Sequence, residues 1–308
     1  MEQNKSTLDG ADTMTTSTHG LMRVQSKLAT PESIIPSTYC WRSNPSNERK
    51  NSFLLPSSFR ACTVGKSNSG KTNLVTYLLL EPGLLDYNNL VICARSLSQP
   101  EYQAIRLGIE NNLSKKQIRS LFEAQDDIRQ LGGLSQALSQ YEGPRYGNLT
   151  GAFYDSPAKL PDPSSNDGNI KSFFLFDDVI LDSRQDLIKS IFARGRHHNI
   201  HCVYISQNYW LLDRRSIREN SSIFFIFKQD FRSITHIYHD HVASDDIELQ
   251  SFRKFAQHCW SEPYSFMTID LTRDRDCGKY RRNLTEFWCP ILDNSCKYLQ
   301  SDKNAPLM

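Results

Sequence analysis

Residues 65–72 carry the clearest chemical pattern in the sequence, Gly-Lys-Ser-Asn-Ser-Gly-Lys-Thr. This run fits the pattern G-x-x-x-x-G-K-[ST] at every fixed position, and such a loop cradles phosphate groups with its main-chain amides. Gly65 and Gly70 permit backbone angles that other residues avoid, so the loop can wrap closely around an anion. Lys71 is expected to reach the β- and γ-phosphates of a nucleotide, and Thr72 to offer its hydroxyl to Mg²⁺. Main-chain contacts alone are predicted for the variable positions Lys66, Ser67, Asn68 and Ser69.

The carboxylate pair Asp177-Asp178 directly follows the apolar run Phe173–Phe176. In open α/β sheets, ligands bind at the carboxyl ends of the strands, so this pair is placed where a phosphoryl-transfer site needs it. Asp177 is predicted to hold Mg²⁺ opposite Thr72, and Asp178 to orient or deprotonate an attacking water. Because acidic residues often end strands without a catalytic role, this interpretation depends on the phosphate loop.

A third group of polar residues surrounds the next apolar run, His201–Ile205. Gln207 follows that run, where its amide would reach both the γ-phosphate and the attacking water. Transition-state charge on a transferred phosphoryl group is often met by an arginine from a neighbouring subunit. Arg196 is the first candidate for that arginine and Arg218 the second. The alternative for both, and for Arg194, Arg214 and Arg215, is a solvated surface charge or a DNA contact.

The elements that must position these residues alternate between strands and helices. Continuous apolar runs predict five buried strands, at Phe59–Val64, Leu90–Ala94, Phe173–Phe176, His201–Ile205 and Ile223–Phe227. Helical periodicity is present at 73–80, 114–131 and 182–194, with Gly195 expected to end the last of these. This alternation predicts an α/β fold with a mostly parallel central sheet flanked by helices. A long loop is predicted over residues 142–170, and beyond residue 240 a helix at 245–257 and strands at 264–271 and 279–283.

Composition places the chain among globular proteins. The 308 residues include 36 Lys plus Arg and 34 Asp plus Glu, a net charge of +2, which excludes a histone-like basic protein. The Ser/Thr-rich residues 1–50 predict a disordered arm, followed by a core over 51–240 and a C-terminal α+β extension over 241–308. The 8 cysteines form no C-x₂-C pair and several lie in apolar runs, which favours buried thiols in a reducing, intracellular compartment. We expect no secretory signal and no transmembrane segment.

Taken together, the loop at 65–72, the Asp177-Asp178 strand end and the run from Gly195 to Gln207 resemble the FtsK/HerA superfamily of ATPases. The similarity covers roughly residues 53–240 and is greatest to the poxvirus-type branch, the genome-packaging ATPases of large DNA viruses, virophages and Polinton-like elements. Many relatives carry Asp-Glu where this chain has Asp177-Asp178. The resemblance implies a RecA/FtsK-like P-loop NTPase core that binds ATP and Mg²⁺ between the subunits of a homo-oligomeric ring. It also implies double-stranded DNA threaded without sequence preference, and a capsid protein as a further partner.

Several alternatives remain open at this point. A cellular or plasmid-type helicase or DNA pump would use the same chemistry, and a nucleotide-gated assembly factor would hydrolyse slowly without transport. A GTPase is disfavoured because no Asn-Lys-x-Asp motif is present, and a small-molecule kinase gives no reason for Gln207. Tyr209-Trp210 could couple nucleotide state to a DNA-facing loop or simply pack in the core. The alternating charges at Asp270 and residues 273–276 favour a solvated, salt-bridged turn.

Overall fold

The computed structural model describes residues 51–124, 133–139, 143–182 and 184–290. The predicted arm and the end of the predicted helix 114–131 lie outside these ranges. The strands are β1 Arg60–Val64, β2 Asn89–Ala94, β3 Thr150–Tyr154, β4 Ser172–Asp177, β5 Ile200–Ser206, β6 Ile223–Ile226, β7 Met267–Asp270, β8 Tyr280–Arg282 and β9 Glu286–Trp288. The α-helices are α1 Lys71–Leu80, α2 Pro100–Glu110, α3 Lys115–Glu123, α4 Leu134–Ser139, α5 Asp186–Arg194, α6 Phe231–His241 and α7 Leu249–Cys259.

The nine strands found within the described ranges belong to one sheet, in the order β3-β2-β4-β5-β1-β6-β7-β8-β9. The pairings from β3 to β6 are parallel, whereas β7, β8 and β9 are added antiparallel. The prediction of an α/β fold with a mostly parallel central sheet is therefore confirmed. The segment after residue 240 contributes three strands to this same sheet, through the pairing of β7 with β6.

Both faces of the sheet are buried, which explains why its strands are continuous apolar runs. Alternate strand residues such as Phe176 and Tyr204 pack with Ile188 and Phe192 of α5 in one large cluster. The residues that face the other way, such as Phe173, are equally buried. A parallel strand covered on two faces has no solvent side, so it needs no polar alternation.

Several elements differ from the sequence prediction. The supposed loop 142–170 contains β3, an edge strand whose sequence Thr-Gly-Ala-Phe-Tyr carries little apolar signal. Helix α2 was missed, and helix α5 begins at Asp186 rather than at residue 182. The α-helix ends at Arg194 with Gly195 as its C-cap, as predicted. Gly195 itself has right-handed dihedral angles, and the chain continues as a 3₁₀ turn over Gly195–His198. The left-handed residue is Asn199, with φ 51°.

The prediction of a solvated turn around residues 270–276 is wrong for Asp270. This carboxylate is fully buried and accepts a 2.9 Å hydrogen bond from the Arg281 guanidinium, which is also fully buried. Arg281 further donates to the Leu54 carbonyl, and burial lowers its pKa to about 10. The pair joins the start of the described chain to β7 and β8, so these charges serve the packing of the added strands.

None of the helices in the described ranges combines the length and the hydropathy that a membrane span requires.

Candidate nucleotide-binding site

The phosphate loop connects the end of β1 to the start of α1, as its sequence requires. Gly70 precedes the helix with φ 97° and ψ 12°, a left-handed conformation that favours glycine. Asn68 also has a positive φ, 60°. A Cβ at Gly65 would lie 2.6 Å from Ser69 Oγ and 2.7 Å from Phe227 Cβ, so no side chain fits there. The loop leads directly into α1, whose first main-chain amides and helix dipole favour a bound anion.

Lys71 is the first residue of α1, and its side chain is largely buried. Its ammonium group donates a 2.7 Å hydrogen bond to the Lys66 carbonyl, which closes the loop across its base. Burial lowers the pKa of Lys71, and the nearby Asp177 and Asp178 carboxylates partly oppose that shift. A buried ammonium so placed would gain most from an anion bound in the loop, because a phosphate would replace the water that it has lost.

Thr72 of α1 and Asp177 of β4 are distant in sequence, and both lie near the hydroxyl group of Tyr102. The Tyr102 hydroxyl of α2 donates a 2.5 Å hydrogen bond to Asp177 Oδ2, and the Thr72 side chain lies near enough to the same hydroxyl to oppose the rise that burial causes in its pKa. Asp177 ends β4 and is buried, and burial raises the pKa of its carboxyl group. The Tyr102 hydrogen bond opposes this shift by stabilising the ionised form.

Asp178 follows directly and has an unusual backbone. Its φ of 53° is in the left-handed region, where a non-glycine residue is held at some conformational cost. The side chain is exposed and lines the same cavity as the loop. The turn thus separates the two carboxylates, with Asp177 buried beneath the loop and Asp178 open to solvent and to any ligand.

Gln207 completes the group because β5 lies between β4 and β1. Asp177 is in register with Ile205, and Ser206 is in register with Val64, so these strand ends lie side by side. The Gly65 amide donates to the Ser206 carbonyl at 3.1 Å, which ties the end of β5 to the start of the loop. Gln207 is therefore held next to the loop by main-chain contacts.

These residues surround one cavity of about 560 Å³, within the range of about 300–1,000 Å³ that is usual for ligand sites. The structure thus brings together the predicted loop, Asp177, Asp178 and Gln207. The lining of this cavity is formed by residues 67–73, Gln99, Glu101, Asp177, Asp178, Ile205, Ser206, Gln207 and Tyr264. Sequence reasoning missed Tyr102 and Tyr264. Tyr102 lies in a helix that was not predicted, and Tyr264 lies in a turn that was assigned to a strand.

The predicted arginines lie elsewhere. Arg196 is exposed in the 3₁₀ turn before β5. It therefore lies where the parallel strands begin, whereas the loop lies where they end, so it does not reach the cavity of its own subunit. Its role in a neighbouring subunit stays a prediction. Arg218 is buried, pairs with Asp240 and lies over the Tyr209 ring. Arg218 is thus engaged within its own subunit, which corrects its selection as the second candidate.

Tyr209 and Trp210 divide between the two interpretations that the sequence left open. Tyr209 is fully buried, and its hydroxyl donates to Asp240 Oδ2 at 2.7 Å. Trp210 is 47% exposed and contacts the His236 ring of α6. Core packing therefore accounts for Tyr209, whereas Trp210 remains available at the surface.

The donor set fits Mg²⁺ bound together with a nucleotide. Mg²⁺ is usually held by one or two carboxylates or hydroxyls, with substrate phosphates and waters completing its shell. Thr72 and Asp177 supply such a hydroxyl and such a carboxylate at adjacent positions. Within the described ranges, no cluster of three or more His, Cys, Asp or Glu residues is arranged to hold a metal on protein ligands alone. A phosphate-dependent metal site is consistent with that finding.

A parallel sheet with a glycine-bent phosphate loop after β1, and an acidic strand end beside it, is typical of the P-loop NTPase fold. No protein-family model and no curated protein matches the chain. Among solved structures, the genome packaging NTPase B204 from Sulfolobus turreted icosahedral virus 2 with AMP is similar at 11% identity and a TM-score of 0.41, over 70% of this chain and 93% of that one. The DNA-packaging ATPase B204 from Sulfolobus Turreted Icosahedral Virus is similar at 11% identity and 0.38, with the same coverage.

A further similar structure is VirB4 of Thermoanaerobacter pseudethanolicus, at 9% identity and a TM-score of 0.38, over 68% of this chain and 86% of that one. Identities and TM-scores as low as these carry no argument about function. The function proposed below therefore rests on the site.

Proposed function

We propose that the protein hydrolyses ATP and uses it to move double-stranded DNA, packaging a viral genome into a capsid. One observation carries the ATPase: Lys71, Thr72, Asp177, Asp178 and Gln207 converge on a single cavity from three different segments of the chain. Each residue type has a distinct task in phosphoryl transfer, and a structural role for the cluster explains neither the buried ammonium nor the exposed Asp178.

The chain's own residues define the reaction. The loop amides orient the triphosphate, and Lys71 neutralises charge on its β- and γ-oxygens. Asp178 accepts a proton from a water that Gln207 orients, while the water oxygen bonds to the γ-phosphorus and the bond to the β,γ-bridging oxygen breaks. ADP and inorganic phosphate are released. When bound, Mg²⁺ would be held by Thr72 and Asp177 and would offset the charge that develops on the leaving group.

Coupling to DNA is supported by the surface that follows Gln207. Exposed Trp210 and Leu211 come three and four residues after Gln207. Trp210 contacts His236 of α6, a helix that has exposed Arg232 in its first turn and is preceded by exposed Lys228. An exposed aromatic ring packed on a helix that carries an exposed arginine suits phosphate-backbone contacts, which are independent of sequence and sensitive to salt. A change at the γ-phosphate would move Gln207 and, through the short connection, this surface.

The test is steady-state phosphate release with no polymer, with long duplex DNA and with single strands. A translocase is expected to be stimulated several-fold by duplex, and the stimulation should fall steeply with salt. Stimulation by single strands alone would favour a helicase, and slow hydrolysis with every polymer would favour an assembly factor. A double variant, Lys228→Gln with Arg232→Gln, should lose the stimulation and keep basal turnover. Lys116→Gln, at an exposed lysine of α3, is the matched control.

The ring and the arginine from a neighbouring subunit belong to the same proposal. Mixing Arg196→Ala subunits with Lys71→Ala subunits should recover activity in a mixed ring, because some interfaces would then pair an intact loop with an intact arginine. No recovery at any ratio, in a protein that sizes as a ring, would remove Arg196 from the mechanism. Protection of duplex from nuclease only when capsid protein is present would distinguish packaging from other transport.

A further inference from the structure

We propose that Tyr264 forms the base subsite of the nucleotide cavity, with its ring stacked on the purine of bound ATP. This inference rests on the proposed function, since it needs a nucleotide in the loop, and it adds the residue that recognises the part of the ligand that the phosphate loop does not touch. The claim follows from the order of the strands, from the position and exposure of Tyr264, and from its backbone conformation.

The strand order gives the bound triphosphate a direction. Asp177 and Gln207 follow β4 and β5, which both lie on one side of β1 in the sheet. The γ-phosphate must point to that side, because the carboxylates and the amide act on it. The α-phosphate and the nucleoside therefore extend to the other side of β1, towards β6 and β7.

Tyr264 lies on the β6 and β7 side of β1, near the carboxyl ends of the parallel strands. It lies three positions before Met267, the first residue of β7, which is in register with Ile226 at the carboxyl end of β6. Because β7 runs antiparallel to β6, the beginning of β7 lies beside the carboxyl end of β6, at the end of the sheet where the phosphate loop lies. Tyr264 lines the cavity, and a Cβ at Gly70 would come 3.4 Å from its Cδ1 atom.

The Tyr264 ring is presented to solvent although it touches the loop. It is 57% exposed, whereas the aromatic residues next to it, Phe227 and Phe266, are buried and pack together with ring centroids 5.3 Å apart. These two rings form a fixed base under the loop and the turn. Tyr264 itself has φ 62°, a strained conformation for a bulky side chain. An exposed aromatic side chain held at conformational cost beside a ligand cavity indicates a ring that is placed for binding.

The chemistry of a phenol ring at this position is stacking on a flat base. Stacking uses the face that every purine offers and needs no hydrogen bond to the base edge. Removing one such ring weakens binding of a stacked base about tenfold, whereas a ligand with no base should be unaffected. The difference between these two ligands isolates the contribution of the ring.

The experiment measures the affinity of ATP and of inorganic tripolyphosphate by calorimetric titration with Mg²⁺. The variants are Tyr264→Phe, which keeps the ring, and Tyr264→Asn, which removes it with a residue that tolerates positive φ. Tyr146→Asn, at a 74% exposed tyrosine away from the cavity, is the control. We expect Tyr264→Asn to bind ATP about tenfold more weakly and tripolyphosphate as the wild type does, and Tyr264→Phe to bind both normally.

The inference is overturned if Tyr264→Asn binds ATP with unchanged affinity, or if it loses ATP and tripolyphosphate equally. The second result would make Tyr264 a wall of the phosphate loop. Failure of the wild type to bind either ligand would instead refute the proposed function, and the base subsite with it. The two failures are distinguishable because tripolyphosphate reports on the loop alone.

Discussion

Tyr102 provides the sharpest test of the metal site, because its hydroxyl donates a hydrogen bond to Asp177 and lies near the Thr72 side chain. Tyr102→Phe removes that hydroxyl and leaves the buried ring in place. A hydrogen bond to a charged group contributes about 1.5–3 kcal/mol, and loss of a group that orients a metal ligand typically costs 10- to 100-fold in metal affinity. We expect the Mg²⁺ concentration for half-maximal ATP binding to rise about tenfold, equivalent to about 1.4 kcal/mol.

Tyr102→Phe should also shift the pH dependence of the Mg²⁺ affinity. Burial raises the pKa of Asp177, and the Tyr102 hydrogen bond opposes that rise. Because only the ionised carboxylate binds Mg²⁺, the Mg²⁺ affinity declines as pH falls through the raised pKa. Without the hydroxyl the pKa rises further, so the decline moves to higher pH. A purely structural role for Tyr102 would leave this profile unmoved.

Tyr87→Phe is the matched control for this experiment. The Tyr87 hydroxyl is also buried and donates to the Leu79 carbonyl at 2.8 Å, with no contact to the metal ligands. The assay is fluorescent-nucleotide binding titrated with Mg²⁺ at several pH values. Unchanged or tighter Mg²⁺ dependence in Tyr102→Phe, or the same shift in Tyr87→Phe, would refute the reasoning.

Three further predictions concern hydrolysis, the loop and the core. Asp178→Asn should bind ATP normally and release phosphate at least about 100-fold more slowly; loss of binding would make Asp178 structural. Gly65→Ala should abolish ATP binding because its Cβ clashes with the loop, whereas Gly83→Ala, which has positive φ but open space, should keep it. The His201 ring accepts a hydrogen bond from the Phe59 amide, and burial lowers its pKa to about 4. Because the unfolded chain takes up this proton at higher pH than the folded one does, the free energy of unfolding should fall by up to about 3 kcal/mol as pH drops from about 6.5 towards 4. His201→Asn, which keeps an acceptor that does not titrate, should flatten that fall in urea unfolding curves, and an unchanged fall would count against this origin.

The loop and the acidic pair could be predicted from sequence because their signals are local. Eight consecutive residues specify the phosphate loop, and an apolar run that ends in Asp177 specifies a strand end. The rule that parallel strands present their carboxyl ends at one edge then brings these groups together. Gln207 follows from the same rule.

Tyr102 and Tyr264 could not be predicted because their roles depend on tertiary placement. A tyrosine in a helix is ordinarily a packing residue, and only the approach of α2 to β4 makes Tyr102 a partner of Asp177. Tyr264 acquires its position from the antiparallel direction of β7, which no local pattern specifies. Asp270 was misassigned for a similar reason, because its partner Arg281 comes from the adjacent strand.

The central claim is that Thr72 and Asp177 hold a divalent cation against a triphosphate bound by the loop at residues 65–72. The most direct measurement is a crystal structure with Mn²⁺ in place of Mg²⁺ and a non-hydrolysable ATP analogue, with the metal located by its anomalous scattering. The account predicts one metal peak within about 2.0–2.2 Å of Thr72 Oγ1, beside Asp177, with the γ-phosphate facing Asp178 and Gln207. A metal bound away from Thr72, or a nucleotide bound outside the loop, would contradict it.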